Sequence, residues 1–253
     1  MAVVTGPNRG LGAEIAIRLA AAGAELAISA CDRSSLADTT AAVVAPSGRV
    51  LALECDVARP DSADAMARDA LGHCGQVDTV VSNANVLCPT KPTNEIEFDA
   101  WRECLGTDSD GVFLTLRGFI PSMISAGGGS LIAISSATGK RPLSCRAPYA
   151  AAAMEVIGLM RTLAMEVGRF RIRANSVCNG GVNGPRIRAV LAAQAQEFDA
   201  TEEEASRQCT APAALGRLLE AREVAVACLF LASPAASGIT GEDLNVSARL
   251  VTY

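Results

Sequence analysis

Short runs of β-branched and aliphatic residues recur along this chain, each followed by a helical stretch, and that alternation leaves very few folds open. Strands are predicted at 2–5, 25–29, 50–55, 77–82, 130–135, 173–177 and 243–246. Helices are predicted at 11–22, 35–45, 62–71, 98–125, 149–167 and 221–231, each with apolar residues at three-to-four spacing. A strand that reaches the next through a helix must lie parallel to it, and right-handed crossovers put helices on both faces. The expected fold is α/β, a doubly wound parallel sheet in three αβα layers, formed by one domain over residues 1–253. Half of the residues are apolar but only 4% are aromatic. The core must therefore come from Ala, Val, Leu and Ile, which suits helices lying close on such a sheet. One segment, about 180–214, breaks the rhythm: it is long, polar and rich in glutamate. An insertion beyond the C-terminal end of a late strand is where this architecture places a substrate lid.

A net charge of -5 argues against a nucleic-acid partner. No stretch is long and apolar enough to cross a bilayer, and Met1 leads straight into a strand and a glycine turn, so a cytoplasmic location and no membrane partner are expected. The nine cysteines are scattered without a Cys-x-x-Cys pair, which predicts reduced, small core residues and no metal or disulfide framework. His73, the only histidine, falls at a predicted helix end, where it reads as part of a C-terminal cap.

The residues Thr5, Gly6, Pro7, Asn8, Arg9, Gly10, Leu11 and Gly12 follow the first strand and open the first helix. Glycines there permit a tight turn and close backbone approach, so that helix amides can face a pyrophosphate; a purely structural turn is the alternative. Asp56 and Val57 follow the third strand, Ser82-Asn83-Ala84-Asn85 the fourth, and Ser136, Tyr149 and Ile239-Thr240-Gly241 come later. In that order and over almost its whole length, the chain resembles the short-chain dehydrogenase/reductase family. The resemblance implies a Rossmann-type fold and an NAD or NADP cofactor held by Gly6, Asn8, Arg9, Gly10, Leu11 and Gly12. It further implies that Asp56, with Val57 beside it, bonds the adenine, and that Asn83 and Ala84 line the cofactor floor. Ser136 would orient a substrate carbonyl and Tyr149 would pass the proton.

Against that pattern, the lysine expected one helical turn after Tyr149 is Ala153, which removes a cation that lowers the tyrosine's pKa and bonds the ribose. The expected asparagine is Asp108, and the glycine that normally ends the Asn-Ala-Gly turn is Asn85, whose side chain predicts a steric cost against the cofactor. The Pro-Gly after the sixth strand is Asn179-Gly180. Weakened or absent dinucleotide binding is expected. Cofactor choice stays open: Ala30 and Cys31 replace the residues that would read a 2'-hydroxyl or a 2'-phosphate, and Asp32 or Arg33 stands close enough to substitute. Lys140, Arg141 and Arg146 lie close enough in sequence to Ser136 and Tyr149 to reach a substrate pocket and stand in for the lost cation, but they read rather as solvated loop charges, and arginine cannot relay a proton in any case.

Apolar residues on more than one face of the helices at 98–125 and 149–167 predict an oligomer, with 244–253 as a second contact. Three functions remain. The first is a catalytically impaired subunit that pairs with a competent dehydrogenase acting on a hydroxy- or keto-acyl or alicyclic substrate. The second is a non-redox enzyme for cyclisation, dehydration or isomerisation through Ser136 and Tyr149. The third is a slow NAD(P)-dependent alcohol or ketone oxidoreductase.

Overall fold

The computed structural model describes residues 1–47 and 49–252. Seven strands form one parallel sheet in the order β3-β2-β1-β4-β5-β6-β7: β1 Ala2–Thr5, β2 Leu26–Ala30, β3 Val50–Glu54, β4 Thr79–Ser82, β5 Gly129–Ser136, β6 Ile172–Asn179 and β7 Asp243–Val246. All seven predicted strands are present, shifted by at most a few residues. The helices are α1 Gly10–Ala21, α2 Ala37–Ser47, α3 Pro60–Cys74, α4 Phe98–Leu105, α5 Gly111–Ala126, α6 Ala137–Lys140, α7 Ala147–Val167, α8 Pro185–Glu197, α9 Glu202–Thr210 and α10 Ala221–Ala232.

Two apolar clusters sandwich the sheet. On one face α1 and α10 bury Ile15, Leu19, Val224 and Leu231 against Val4 and Ile28. On the other α3, α5 and α7 bury Met66, Leu116, Phe119 and Met160 against Val3, Val80 and Leu131. Alternate residues of β1 thus face opposite layers, as a strand buried on both sides requires.

The single helix predicted at 98–125 is two helices, α4 and α5, joined by a π-turn over Gly106–Asp110. The 180–214 segment, read as an irregular lid, carries α8 and α9 with a small apolar cluster of Leu191, Ala195 and Ala205. Its glutamates start α9, where Thr201 and Glu204 form a reciprocal cap. The two ends of the segment are pinned together, since Leu219 N–H donates to Gly181 O at 2.8 Å and Asn183 N–H to Leu219 O at 2.7 Å.

Three further expectations need correction. Lys140 is a buried residue, paired with the Asp243 carboxylate and donating to Asn245 Oδ1 at 2.9 Å, so it ties α6 to β7. Arg146 is 2% exposed; of the three loop cations only Arg141 is solvated. Cys88 and Cys104 form a disulfide between the segment after β4 and α4; seven cysteines are free. Joined to each other, neither sulfur is a thiolate ligand. His73 does lie in the last turn of α3, ahead of Gly75 at φ 72°.

Phe113 on α5 and Met154 and Met165 on α7 are 47%, 50% and 85% exposed, an apolar outer face of the kind expected. Of the second expected contact, Tyr253 lies outside the described residues. No helix among the described residues is long and apolar enough to cross a membrane.

Candidate functional site

The strand order reverses between β1 and β4, and the crevice beyond the C-terminal ends of these two strands is where an open α/β sheet binds its ligand. The chain closes the base of that crevice with polar ties. The backbone N–H groups of Asn83 and Ala84 both donate to Thr5 Oγ1, at 3.0 and 3.1 Å, and Asn83 Nδ2 donates to the carbonyls of Thr5 and Gly6 at 3.0 and 3.2 Å. Asn83 is thus buried and spent on architecture, while Ala84 lies directly beneath the glycine turn: a Cβ on Gly6 would be 2.7 Å from Ala84 Cα. Gly6 and Gly10 hold φ of 66° and 57°. A Cβ on Gly12 would lie 2.5 Å from Asn83 Nδ2 and 2.6 Å from Gly6 O. Helix α1 begins after Arg9 with no side chain capping it, and Asn8, Arg9 and Gly10 are exposed, so its first amides are open to an anion; Leu11 is half-buried.

Asp56 accepts from Ala58 N–H at 3.0 Å, so its carboxylate folds back on its own turn, and Val57 packs on α5, where a Cβ on Gly111 would be 2.7 Å from Val57 Cγ2. Beyond β2, both oxygens of Asp32 are engaged by Ser34, at 2.8 Å from its N–H and 2.8 Å from its hydroxyl, and these bonds hold the carboxyl below its ordinary pKa. Arg33 is exposed beside it.

Ser136 is the last residue of β5, 5% exposed, and accepts from Thr138 N–H at 3.1 Å as the cap of α6. Ser135, beside it, donates to Ala153 O at 2.9 Å and so hangs α7 on the strand. Tyr149 lies in the first turn of α7 and is half-buried. Ala153, one turn on, is 5% exposed and meets α6 closely: a Cβ on Gly139 would be 3.1 Å from Ala153 Cβ.

Two guanidinium groups take positions over the Tyr149 ring, with Cζ of Arg146 at 4.8 Å and Cζ of Arg186 at 5.6 Å from the centroid. Arg146 donates through Nη1 to Cys88 O, to Thr90 Oγ1 at 3.0 Å and to Pro89 O at 3.4 Å. Burial pushes its pKa below the usual arginine value, opposed by the Tyr149 phenol and Asp108. Arg186 reaches from α8 to Asn85 Oδ1 at 2.8 Å. Asn85 has no positive φ, so its side chain strains nothing in the backbone; it serves instead as a partner for α8.

Asp108 sits on the π-turn, 8% exposed, with Oδ1 accepting from Val86 N–H at 2.8 Å and Oδ2 at 3.5 Å from Cys88 Sγ. Burial raises its pKa to about 6, although the Val86 N–H, Arg186 and Arg146 all pull the other way. The structure therefore brings Asp108, Arg146, Tyr149 and Arg186 into one charged cluster. Arg186 carried no sequence signal: it is one of many arginines, 101 residues from Asn85. Beside the segment after β5, a cleft of about 460 Å³ opens between Arg141, Leu143, Gln194, Phe198 and Cys209, walled on one side by α8 and α9.

The model of a family described as enoyl-(acyl carrier protein) reductase matches residues 6–248. Among curated proteins, the short chain dehydrogenase/reductase astE of Aspergillus oryzae is 36% identical over 253 residues, covering 99% of this chain and 94% of that protein. The granaticin polyketide synthase putative ketoacyl reductase 1 of Streptomyces violaceoruber is 34% identical over 259 residues, covering 100% of this chain and 93% of that one. An actinorhodin polyketide ketoreductase variant crystallised with NADPH superposes with a TM-score of 0.93 at 30% identity, covering 100% of this chain and 97% of that one. The seven-stranded sheet, the glycine turn at its switch point and these matches along the full length make the chain a member of the short-chain dehydrogenase/reductase family of oxidoreductases.

Proposed function

We propose that this chain is a dinucleotide-binding member of its family in which hydride transfer is impaired, and that it works in an oligomer with a competent homologue acting on a keto- or hydroxy-acyl or alicyclic substrate. The observation that carries this reading is the absence of a lysine beside Tyr149. Ala153 stands there, packed on α6, and Lys140 is committed to Asp243. Relatives named as ketoacyl reductases support the substrate class.

The glycine turn fits a pyrophosphate: Gly6, Gly10 and Gly12 keep their own positions between β1 and the first turn of α1 free of side chains, and the α1 amides supply donors. A nicotinamide, when bound, supplies or accepts the hydride. What the chain contributes is Ser136 as a donor to a substrate oxygen and Tyr149 as the proton carrier, its ring contacted by two cations that cannot relay protons onward. Asp32 is occupied by Ser34 while Arg33 is exposed at the same edge, which favours NADPH over NADH. The exposed apolar face of α5 and α7 supplies the contact for the oligomer.

Calorimetric titration with NADPH and NADH, followed by a ketone-reduction assay of the chain alone and together with a homologous reductase, tests this reading. NADPH binding without turnover alone, and a mixed oligomer with turnover, is the expected result. An active homo-oligomer overturns it.

A second reading rests on Asp108, whose pKa of about 6 lies close to neutrality. A carboxyl so placed suits proton transfer without hydride transfer, as in a dehydration or isomerisation, with Ser136 and Tyr149 as hydrogen-bond donors. Loss of such a reaction in Tyr149→Phe, with no nicotinamide absorbance change in the parent, is its signature; persistence of the reaction in that variant excludes the tyrosine.

A further inference from the structure

The cluster over Tyr149 is short of negative charge. Arg146 and Arg186 stand on the same phenol ring, and each guanidinium disfavours the other. The hydrogen-bond partners of Arg146 are two carbonyls and a hydroxyl, and the partner of Arg186 is a neutral amide oxygen. Nη2 of Arg186 is buried with no partner. Among the described residues, no carboxylate lies within ion-pair distance of either group. Asp108 is the acidic residue near both, and its oxygens face Val86 N–H and the sulfur of Cys88. A partly buried cation left without an anion is costly, and a guanidinium offers a planar fork of parallel donors that matches a carboxylate.

We propose that Arg146 and Arg186 form, over Tyr149, a binding site for a carboxylate carried by the protein's small-molecule ligand. The carboxylate takes Nη1 of Arg186 by displacing the Asn85 amide, and that displacement frees the guanidinium to turn its buried, orphaned Nη2 onto the same ligand. Arg146, fixed from behind by Cys88 O and Thr90 Oγ1, adds its charge without moving. Asp108 sets the charge of the pocket: above about pH 6 its carboxylate offsets one arginine, and below it the two cations act unopposed. The site lies over the Tyr149 ring and does not depend on whether the glycine turn holds a dinucleotide, so its failure is separable from failure of the reading above.

The test is an equilibrium titration of the purified chain with benzoate, with benzamide as the neutral isostere and inorganic phosphate as the competing anion. Benzoate is expected to bind roughly tenfold or more tightly than benzamide, corresponding to about 1.4 kcal/mol. Arg186→Gln should remove that preference, and because Arg186 is only half-buried the variant is expected to fold. Native affinity for benzoate should weaken as the pH rises through about 6, and in Asp108→Asn it should not. Equal binding of benzoate and benzamide, no benzoate binding, an unchanged preference in Arg186→Gln, or phosphate binding that exceeds benzoate binding and depends on Arg186 would each overturn the proposal.

Discussion

Arg186 donates from Nη1 to Oδ1 of Asn85 at 2.8 Å, tying the first turn of α8 to the segment that leaves β4. The bond exists because residue 85 carries an amide where the family pattern has glycine. In Asn85→Gly the tie is gone, and α8 should open more readily. We expect faster hydrogen exchange across 185–190 and NADPH binding tightened by a few-fold, read by exchange mass spectrometry and calorimetry.

Gly12 is the point at which α1 touches the switch between β1 and β4. A methyl there would meet Asn83 Nδ2 at 2.5 Å and Gly6 O at 2.6 Å, and both are held by hydrogen bonds that cannot give. Gly12→Ala should lower stability by about 1–3 kcal/mol, seen in denaturant unfolding, and abolish dinucleotide binding. Gly23, at φ 90° but with open space around it, should not affect binding when replaced by alanine.

Asp108 makes the fold sensitive to pH in a defined window. Its pKa rises from 3.8 to about 6 on folding, so the folded state holds its proton longer than the unfolded chain. This penalty grows as the pH climbs through that interval and is fully present above it. Asp108→Asn keeps an oxygen for Val86 N–H and removes the charge, so it should stabilise the protein by on the order of 2–3 kcal/mol at pH 8 and by almost nothing near ~pH 3, below the unfolded pKa. Thermal unfolding across that range measures it; a gain that is equal at both ends contradicts the assignment.

How far the sequence announces this architecture depends on the range of the interactions involved. Each strand is a local run of residues such as Val3 and Val80, whose burial on both sides demands aliphatic side chains, so all seven could be read. Gly6, Gly10 and Gly12 are legible for the same reason, since a local conformation requires them. The charged cluster is legible only in part: Asp108 and Tyr149 fall at family positions and Arg146 lies three residues before the tyrosine, but Arg186 is far from all of them in sequence and nothing in its neighbourhood distinguishes it from a surface arginine. Lys140 misleads for a related reason: it follows a loop-like Ala-Thr-Gly, yet its partner Asp243 is 103 residues on. The segment containing α9 looks irregular because its glutamates cluster, when clustering at a helix start is what the helix dipole favours.

The Cys88–Cys104 disulfide can be counted directly. Denatured protein should titrate seven thiols without reductant and nine with it. Closing a loop of sequence separation 16 should add about 3 kcal/mol of stability. Nine thiols under both conditions would place the pair in the reduced form, with Cys88 then able to donate to Asp108.

Restoring the family's cation is the most direct probe of catalysis. Ala153→Lys should raise ketone reduction by about 10²-fold or more when NADPH is bound. No gain in the presence of bound cofactor would show that Arg146 and Arg186 already govern Tyr149.

The π-turn over Gly106–Asp110 gives the helical rod from α4 to α5 one residue more per turn than an α-helix, and the apolar stripe of α5 is in phase with the sheet only because that residue is counted. A deletion there would let the turn close to a regular α-helix with α5 still in phase, whereas a further insertion would rotate α5 by about 100° about its axis. Phe119 and Met123 would then swing out of the core while Asp108 lost its place beside Val86 N–H. The acid of the cluster and the packing of the central helix are thus two readings of a single angular setting, and neither can be edited by insertion without resetting the other.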